Sequence, residues 1–175
     1  MNDYLAIKNI YKSYDQSDKG QFVLEDINLS IKKNEFIAIL GPSGCGKSTL
    51  LKMIAGFLET EKGAVFKNGE KITGSSPDRL MVFQEFSQLF PWQTALKNVV
   101  FSLKAKNIAK NKKERRKIAR DYLNKVGLAE AVDKYPHQLS GGMKQRVALA
   151  RTFAADPKIM LMDEPFGSLD SQTRN

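Results

Sequence analysis

The stretch 41-GPSGCGKS-48 decides how the rest of the sequence is interpreted. It fits the pattern G-x-x-x-x-G-K-[ST] and stands between the apolar run 35-EFIAIL-40 and the helical pattern 48-STLLKMIAGF-57, the context that this motif requires. Its glycines let the backbone curl so that successive N–H groups point at phosphate oxygens, and the following helix start adds a positive dipole end. Lys47 is placed to reach the β- and γ-phosphates, and Ser48 to ligate Mg²⁺. A glycine-rich turn with a purely structural role is the disfavoured alternative.

Outward from this loop, strand and helix patterns alternate, which indicates an α/β fold with a parallel sheet. The first third predicts an N-terminal antiparallel β subdomain, including a hairpin around Asn68-Gly69. The predicted buried strands are 35-EFIAIL-40, 79-RLMVFQ-84 and 158-KIMLMD-163. Helical patterns cover about 91–126 and 141–155, with the first helix after the loop ending at Gly56.

We therefore expect a single domain over residues 1–175. Its core is predicted to comprise 1–85 and 156–175, with an inserted helical subdomain at 86–155.

Composition is that of an ordinary globular domain, with 42% hydrophobic and 27% charged residues. No run approaches the ~20 apolar residues that span a bilayer, and the first 15 residues lack the apolar segment of a signal peptide. The single cysteine, Cys45, excludes a disulfide within this chain and fits a reducing cytoplasm.

The net charge of +9 is concentrated in one segment. Nine basic residues and one acid, Glu114, lie between Lys104 and Arg120. The segment could bind nucleic acid or an anionic membrane, or it could be the solvated face of a helix whose apolar stripe contains Ile118, Tyr122 and Leu123. The solvated face is favoured, because no aromatic residues interleave with the bases. We expect no nucleic-acid partner.

Two acids, Asp163 and Glu164, follow the strand pattern 159-IMLM-162. Alone, such a pair most often caps a helix or forms a turn. Beside a phosphate-binding loop, Asp163 can hold Mg²⁺, and Glu164 can polarise the attacking water as a general base.

The stretch 139-LSGGMKQR-146 opens a helix. Ser140 could simply be its N-cap. Gly141 and Gly142, however, weaken a first helical turn unless a phosphate must approach the backbone closely. One chain would then carry two helix starts that bind phosphate. A second molecule, which would present its own phosphate to the helix start at Ser140, would explain why there are two.

Together these motifs resemble the ATP-binding subunit of ABC transporters. The loop 41–49 resembles the family's Walker A motif, 139–146 its signature, 159–164 its Walker B motif and 168-SLD-170 its D-loop, in the family's order. Gln84 matches the Q-loop, and Tyr14 matches the aromatic residue that stacks on adenine. The resemblance implies Glu164 and Gln84 as catalytic residues and Ser48, Gln84 and Asp163 as Mg²⁺ ligands. It implies the following ATP contacts: Tyr14, Gly41, Pro42, Ser43, Gly44, Cys45, Gly46, Lys47, Ser48, Thr49, Ser140, Gly141 and Gly142.

The resemblance also implies partners. In a head-to-tail dimer, Ser140 and Gly142 of one subunit would close on ATP held by Lys47 of the other. Transmembrane permease subunits would anchor this peripheral protein at the cytoplasmic face of the membrane, and a solute-binding protein would act indirectly. The segment 84-QEFSQLFPW-92 resembles the segment that links the nucleotide site to the membrane partner in importers for nitrate, sulfonates or taurine. Its Phe86, Phe90 and Trp92 could dock on the membrane partner or could equally be core residues.

One part of the family pattern is absent from this sequence. The family has a switch histidine on a strand after the D-loop, whereas the single histidine here, His137, precedes the signature. We therefore expect an ABC ATPase truncated after its D-loop, with the C-terminal part of the core missing. Two alternatives stay open: a nucleotide-binding fragment that does not hydrolyse ATP, and a soluble non-transport ABC ATPase.

Overall fold

A computed structural model describes residues 3–14, 22–83 and 88–164. The chain divides into two compact units, Met1–Ser76 and Pro77–Asn175. The elements of the first unit are β1 Leu5–Ser13, β2 Phe22–Ile31, α1 Lys47–Ala55, β3 Lys62–Lys67 and β4 Glu70–Lys71. The elements of the second are β5 Arg79–Val82, α2 Ala95–Ala105, α3 Lys112–Lys125, α4 Gly141–Ala154 and β6 Ile159–Met162. The predicted subdomain boundaries, after residues 85 and 155, stay a prediction.

The first unit contains an antiparallel sheet in the order β2-β1-β3-β4. Leu5 pairs with Ile31 on one side and Lys67 on the other. The predicted hairpin is confirmed, with β3 and β4 joined at Asn68-Gly69, where both residues have positive φ. This is the backbone that a tight hairpin turn needs, and asparagine and glycine tolerate it best.

Helix α1 starts and stops where the sequence predicts. It ends at Gly56, whose left-handed backbone lets its N–H and the next one bond to Met53 and Lys52 carbonyls. Leu50, Met53 and Ile54 are buried on one side of the helix. The loop that precedes the helix is therefore held by a well-terminated, half-buried element.

The predicted buried strand at 35-EFIAIL-40 is wrong. Residues 35–40 form no strand, and the side chains of Phe36 and Leu40 are 92% and 90% exposed. A strand exists only through hydrogen bonds to a neighbour, and no described strand pairs with this run. The run has the apolar pattern of a buried strand, but it pairs with none of the described strands.

The second unit contains a two-stranded parallel sheet and three packed helices. β5 and β6 run in register from Arg79 beside Ile159 to Val82 beside Met162. The predicted helical stretch is confirmed as α2 and α3, which pack with α4. The fully buried side chains of their shared core are Ala95, Val99, Leu103, Ala119, Leu123, Val147 and Ala150.

Each of these helices begins at a capping side chain. The side chains of Thr94, Asn111 and Ser140 accept hydrogen bonds from backbone N–H groups in the first turns of α2, α3 and α4. On α3 the predicted apolar stripe packs inward, whereas Lys112, Lys113 and other bases point into solvent. The bases of α3 are therefore largely exposed, and the choice between a solvated face and a binding surface stays a prediction.

Candidate functional site

The loop between residues 41 and 46 curls through two left-handed glycines. Gly44 and Gly46 have φ of 81° and 95°. A Cβ on Gly46 would lie 2.7 Å from Leu24 Cδ2 and 2.9 Å from the Val23 carbonyl oxygen, so no other residue fits there. Gly46 also caps α1 without any side chain. The first N–H groups of α1 are thus presented at a helix start suited to an anion.

The Lys47 ammonium lies inside this loop. It donates to the carbonyl oxygens of Gly41 at 2.9 Å and Pro42 at 2.7 Å. It also lies 3.9 Å from Cys45 Sγ. One cation thereby links the beginning of the loop to the beginning of the helix, and the motif residues from Gly41 to Thr49 form one compact site.

Tyr14 is brought to the same site. Its hydroxyl lies 3.1 Å from Thr49 Oγ1 in the first turn of α1, although 61% of Tyr14 is exposed. Lys12 places its Nζ 5.7 Å from the Tyr14 ring centroid. A ring anchored at its hydroxyl end and exposed elsewhere can stack on a planar base.

Lys12 and Glu61 are neighbours of Tyr14 that sequence reasoning missed. Lys12 Nζ lies 3.1 Å from Glu61 Oε1. The hydrogen bond from the Ser13 N–H, followed by that from Lys12, lowers the pKa of Glu61. The only signal in the sequence was the position of Lys12 two residues before Tyr14, since Glu61 is remote along the chain.

The two acids lie at the end of β6. Asp163 is 7% exposed, and its N–H donates to the Val82 carbonyl at 2.9 Å, which continues the parallel ladder. Glu164 is exposed and has a φ of 46°. Gln145 of α4, only 2% exposed, donates from Nε2 to the Glu164 carbonyl oxygen at 3.4 Å. Sequence reasoning missed Gln145, because a buried amide reveals no partner in the sequence.

Ser140 is the N-cap of α4, as one alternative predicts. Its Oγ accepts from the Met143 N–H at 3.3 Å, and Ser140 itself is exposed. Gly141 and Gly142 form the first turn of the helix. Capping leaves open whether this helix start also binds a phosphate, so the second anion site stays a prediction.

The aromatic segment forms an exposed cluster on the second unit. The Phe90 ring lies 5.5 Å from the Trp92 ring and 4.7 Å from the Phe101 ring, centroid to centroid. Trp92 is 69% and Phe101 47% exposed, whereas Phe90 is half-buried. Trp92 is therefore not a core residue, whereas its docking on a membrane partner stays a prediction. We call Phe90, Trp92 and Phe101 the aromatic cluster.

The backbone of this segment is fixed by Asn98, another residue that sequence reasoning missed. Asn98 is fully buried on α2. Its amide accepts from the Phe90 N–H at 2.8 Å and donates to the carbonyl oxygens of Phe90, Gln93 and Thr94 at 3.1 to 3.2 Å. Its position among the apolar residues of α2 was the one available signal.

Gln84, Phe86 and the D-loop residues 168–170 lie outside the described residues. In the part of the chain that is described, no group of three or more His, Cys, Asp or Glu side chains could hold a metal ion. Mg²⁺ typically takes one or two protein oxygens beside phosphates and water. The Ser48 hydroxyl and Asp163 carboxylate are suitable donors. They lie in different units, and their joint ligation stays a prediction.

None of the described helices has the length and apolarity needed to cross a membrane.

Comparison with known proteins gives consistent matches. The profile described as "ABC transporter" matches residues 24–167. The chain is 47% identical to a bicarbonate transport ATP-binding protein of Synechocystis sp., covering 98% of this chain and 60% of that one. It is 45% identical to a nitrate import ATP-binding protein of Synechococcus elongatus, covering 99% of this chain and 26% of that one. The chain thus spans less than two thirds of the length of these relatives.

A solved structure gives the same result. The dimeric post-hydrolysis state of an ATP-binding cassette bound to ADP and Pi matches with a TM-score of 0.85 at 37% identity. The match covers 97% of this chain and 77% of that one.

Proposed function

This chain belongs to the ABC transporter family, and we propose that it binds and hydrolyses ATP to energise an importer. The observation that carries the proposal is the phosphate-binding loop, where Lys47 and the uncapped start of α1 converge. A loop of this form is built for the β- and γ-phosphates of a nucleotide.

The residues of the site have distinct proposed roles. Tyr14 stacks on the adenine, while Lys47 and the backbone of residues 41–49 bind the phosphates. Glu164 polarises the attacking water. Ser48, Asp163 and Gln84 would hold Mg²⁺, which neutralises charge on the phosphates when bound.

We propose a second copy of the chain as the partner in the hydrolytic state. Helix α4 begins at Ser140, Gly141 and Gly142, an N-terminus that can contact an anion. Its contact with the partner's nucleotide would make dimerisation depend on ATP. A related cassette bound to ADP and Pi is dimeric, which supports a second copy as the partner.

We propose that permease subunits dock on the aromatic cluster and hold the protein at the cytoplasmic face of the membrane. An exposed tryptophan on a fixed backbone is typical of a binding hot spot. The bicarbonate and nitrate relatives favour a small solute of that kind. A sulfonate or taurine, suggested by the sequence of segment 84–92, is the alternative, and other subunits would recognise the solute. Transport of one labelled solute by the assembled complex would identify it.

A second candidate is nucleotide binding without turnover. The exposure of Phe36 and Leu40, immediately before the loop, favours it. The loop would then be supported by α1 on one side only, and less exact positioning of the phosphates lowers catalysis more than binding.

One experiment tests both candidates. We would measure binding of a fluorescent ATP analogue and phosphate release for the parent, Lys47→Ala and the control Lys52→Ala. Lys52 lies exposed on the same helix. We expect Lys47→Ala to lose binding and Lys52→Ala to keep it. Unchanged affinity and turnover in Lys47→Ala would refute the site, whereas binding without phosphate release by the parent would favour the second candidate.

A further inference from the structure

We propose that Gln145 is a positioning residue that holds the backbone of Glu164 in its hydrolytic conformation. The inference rests on the proposed role of Glu164 as general base. Its structural basis is the bond from Gln145 Nε2 to the Glu164 carbonyl oxygen, which joins α4 to the end of β6. Glu164 is within hydrogen-bonding reach of this helix although 19 residues separate the two in sequence.

Gln145 is an unusual residue for its location. The other buried positions of α4 are Val147, Ala148, Ala150, Thr152 and Ala154. Thr152 satisfies its hydroxyl within the helix, through the Ala148 carbonyl at 3.0 Å. Gln145 instead directs its amide out of the helix, to the strand end. A buried amide needs such partners, and an apolar side chain of the same length would fill the space without them.

Glu164 has a backbone that needs support. Among the described non-glycine residues with positive φ, six are Asn or Asp, and the other two are Ala109 and Glu164. Residues other than glycine, asparagine and aspartate rarely adopt this region unless surrounding contacts impose it. The Asp163 N–H bond to Val82 fixes the chain before Glu164, and Gln145 fixes the carbonyl after it.

These two bonds restrain the backbone from which the Glu164 side chain projects. A general base must lie within hydrogen-bonding reach of the water that it activates. A displacement of about 1 Å can lower turnover about 100-fold. Loss of the Gln145 donor should therefore lower kcat and leave ATP binding intact, because Gln145 lies on α4 and is not part of the phosphate-binding loop.

The test compares Gln145→Met with Thr152→Val in the full chain. Methionine keeps the length and loses the donor, whereas Thr152→Val removes a buried hydrogen bond of the same helix without reaching Glu164. The first readout is the ¹³C carbonyl resonance of Glu164 by NMR, which does not depend on turnover. We expect this resonance to shift in Gln145→Met and to stay in place in Thr152→Val. An unshifted resonance in Gln145→Met overturns the inference.

The second readout is steady-state ATP hydrolysis. We expect Gln145→Met to lower kcat by about 10- to 100-fold at an unchanged KM, and Thr152→Val to stay within twofold of the parent. Gln145→His, which offers a donor at similar reach, should recover activity, whereas Gln145→Glu should not. These two variants decide the question if Gln145→Met does not fold. Equal kcat in both overturns the inference.

A parallel variant separates this inference from the proposed function. Glu164→Gln should abolish turnover if Glu164 is the base. If it does so while Gln145→Met keeps the kcat of the parent, only the role of Gln145 fails. If Glu164→Gln keeps full turnover, the general-base assignment fails, and the inference about Gln145 fails with it.

Discussion

Asn98→Ala should destabilise the second unit and release the segment that carries the aromatic cluster. Asn98 is fully buried and makes four side-chain hydrogen bonds to the backbone of residues 90–94. Alanine leaves the Phe90 N–H and the carbonyls of Phe90 and Gln93 without this partner. The Thr94 carbonyl keeps its bond from the Asn98 N–H, and the Phe90 carbonyl keeps its bond from the Gln93 N–H. The Phe90 N–H and the Gln93 carbonyl lose the Asn98 bond without such a replacement, and about 1.5 kcal/mol for each predicts a loss of about 3 kcal/mol in the free energy of unfolding.

Urea denaturation can measure this loss directly. With a typical slope of about 2 kcal/mol per molar urea, the midpoint should fall by about 1.5 M. Trp92 is the only tryptophan of the chain and lies in the released segment, so its fluorescence reports local opening. Because Trp92 is already largely exposed, the informative quantity is its fluorescence anisotropy, which should fall in Asn98→Ala even without urea as the segment becomes more mobile. Asn124→Ala, on the exposed face of α3, serves as the control. A midpoint within about 0.3 M of the parent, with unchanged Trp92 anisotropy, would refute the reasoning.

Three further predictions concern other parts of the molecule. Ser140→Arg should leave ATP binding by one chain nearly intact and block ATP-driven dimerisation, measured by sedimentation of a hydrolysis-dead form; dimerisation equal to that of the same form with Ser140 would contradict it. Cys45, which is exposed in the loop, should react with maleimides and be protected by Mg-ATP, so equal labelling rates would count against the site. The pKa of Glu61 is lowered from its usual 4.5, chiefly by the Ser13 N–H. The ionised Glu61 carboxylate therefore contributes to stability above pH 4.5, and this contribution is lost as the pH falls through the folded-state pKa. In Glu61→Gln the melting temperature should consequently fall less between pH 7 and pH 3 than it does in the parent. If the melting temperatures of the parent and Glu61→Gln change in parallel with pH, the Lys12–Glu61 pair contributes nothing to stability, which is common for exposed ion pairs.

Local signals in the sequence predicted the elements that depend on local physics. The Asn68-Gly69 turn, the end of α1 at Gly56 and the cap at Ser140 are each determined within a few residues. The prediction of a strand at 35-EFIAIL-40 was wrong, because a buried strand depends on partners elsewhere in the chain and its own pattern cannot specify them.

The candidate site divides in the same way. The turn at residues 41–46 and the helix after it could be predicted, because the spacing of the glycines determines the local backbone, whereas phosphate binding by this loop stays a prediction. Asn98 and Gln145 could not, because the function of a buried amide lies in the backbone groups that it meets, and those groups are distant in sequence. Lys12 and Glu61 escaped notice because their pairing depends on the meeting of β1 with the start of β3.

The position of the Lys47 ammonium has a consequence for ligand selection. Because it is bonded to the carbonyls of Gly41 and Pro42, nucleotide binding is a displacement in which these bonds are exchanged for phosphate contacts. Charge-assisted bonds of this kind contribute about 1.5 to 3 kcal/mol each, so a ligand with a single phosphate compensates for little of the loss. We expect affinity to rise steeply from AMP to ADP to ATP, and similar affinities for all three would contradict this. The loop would thereby select nucleotides by the number of their phosphates.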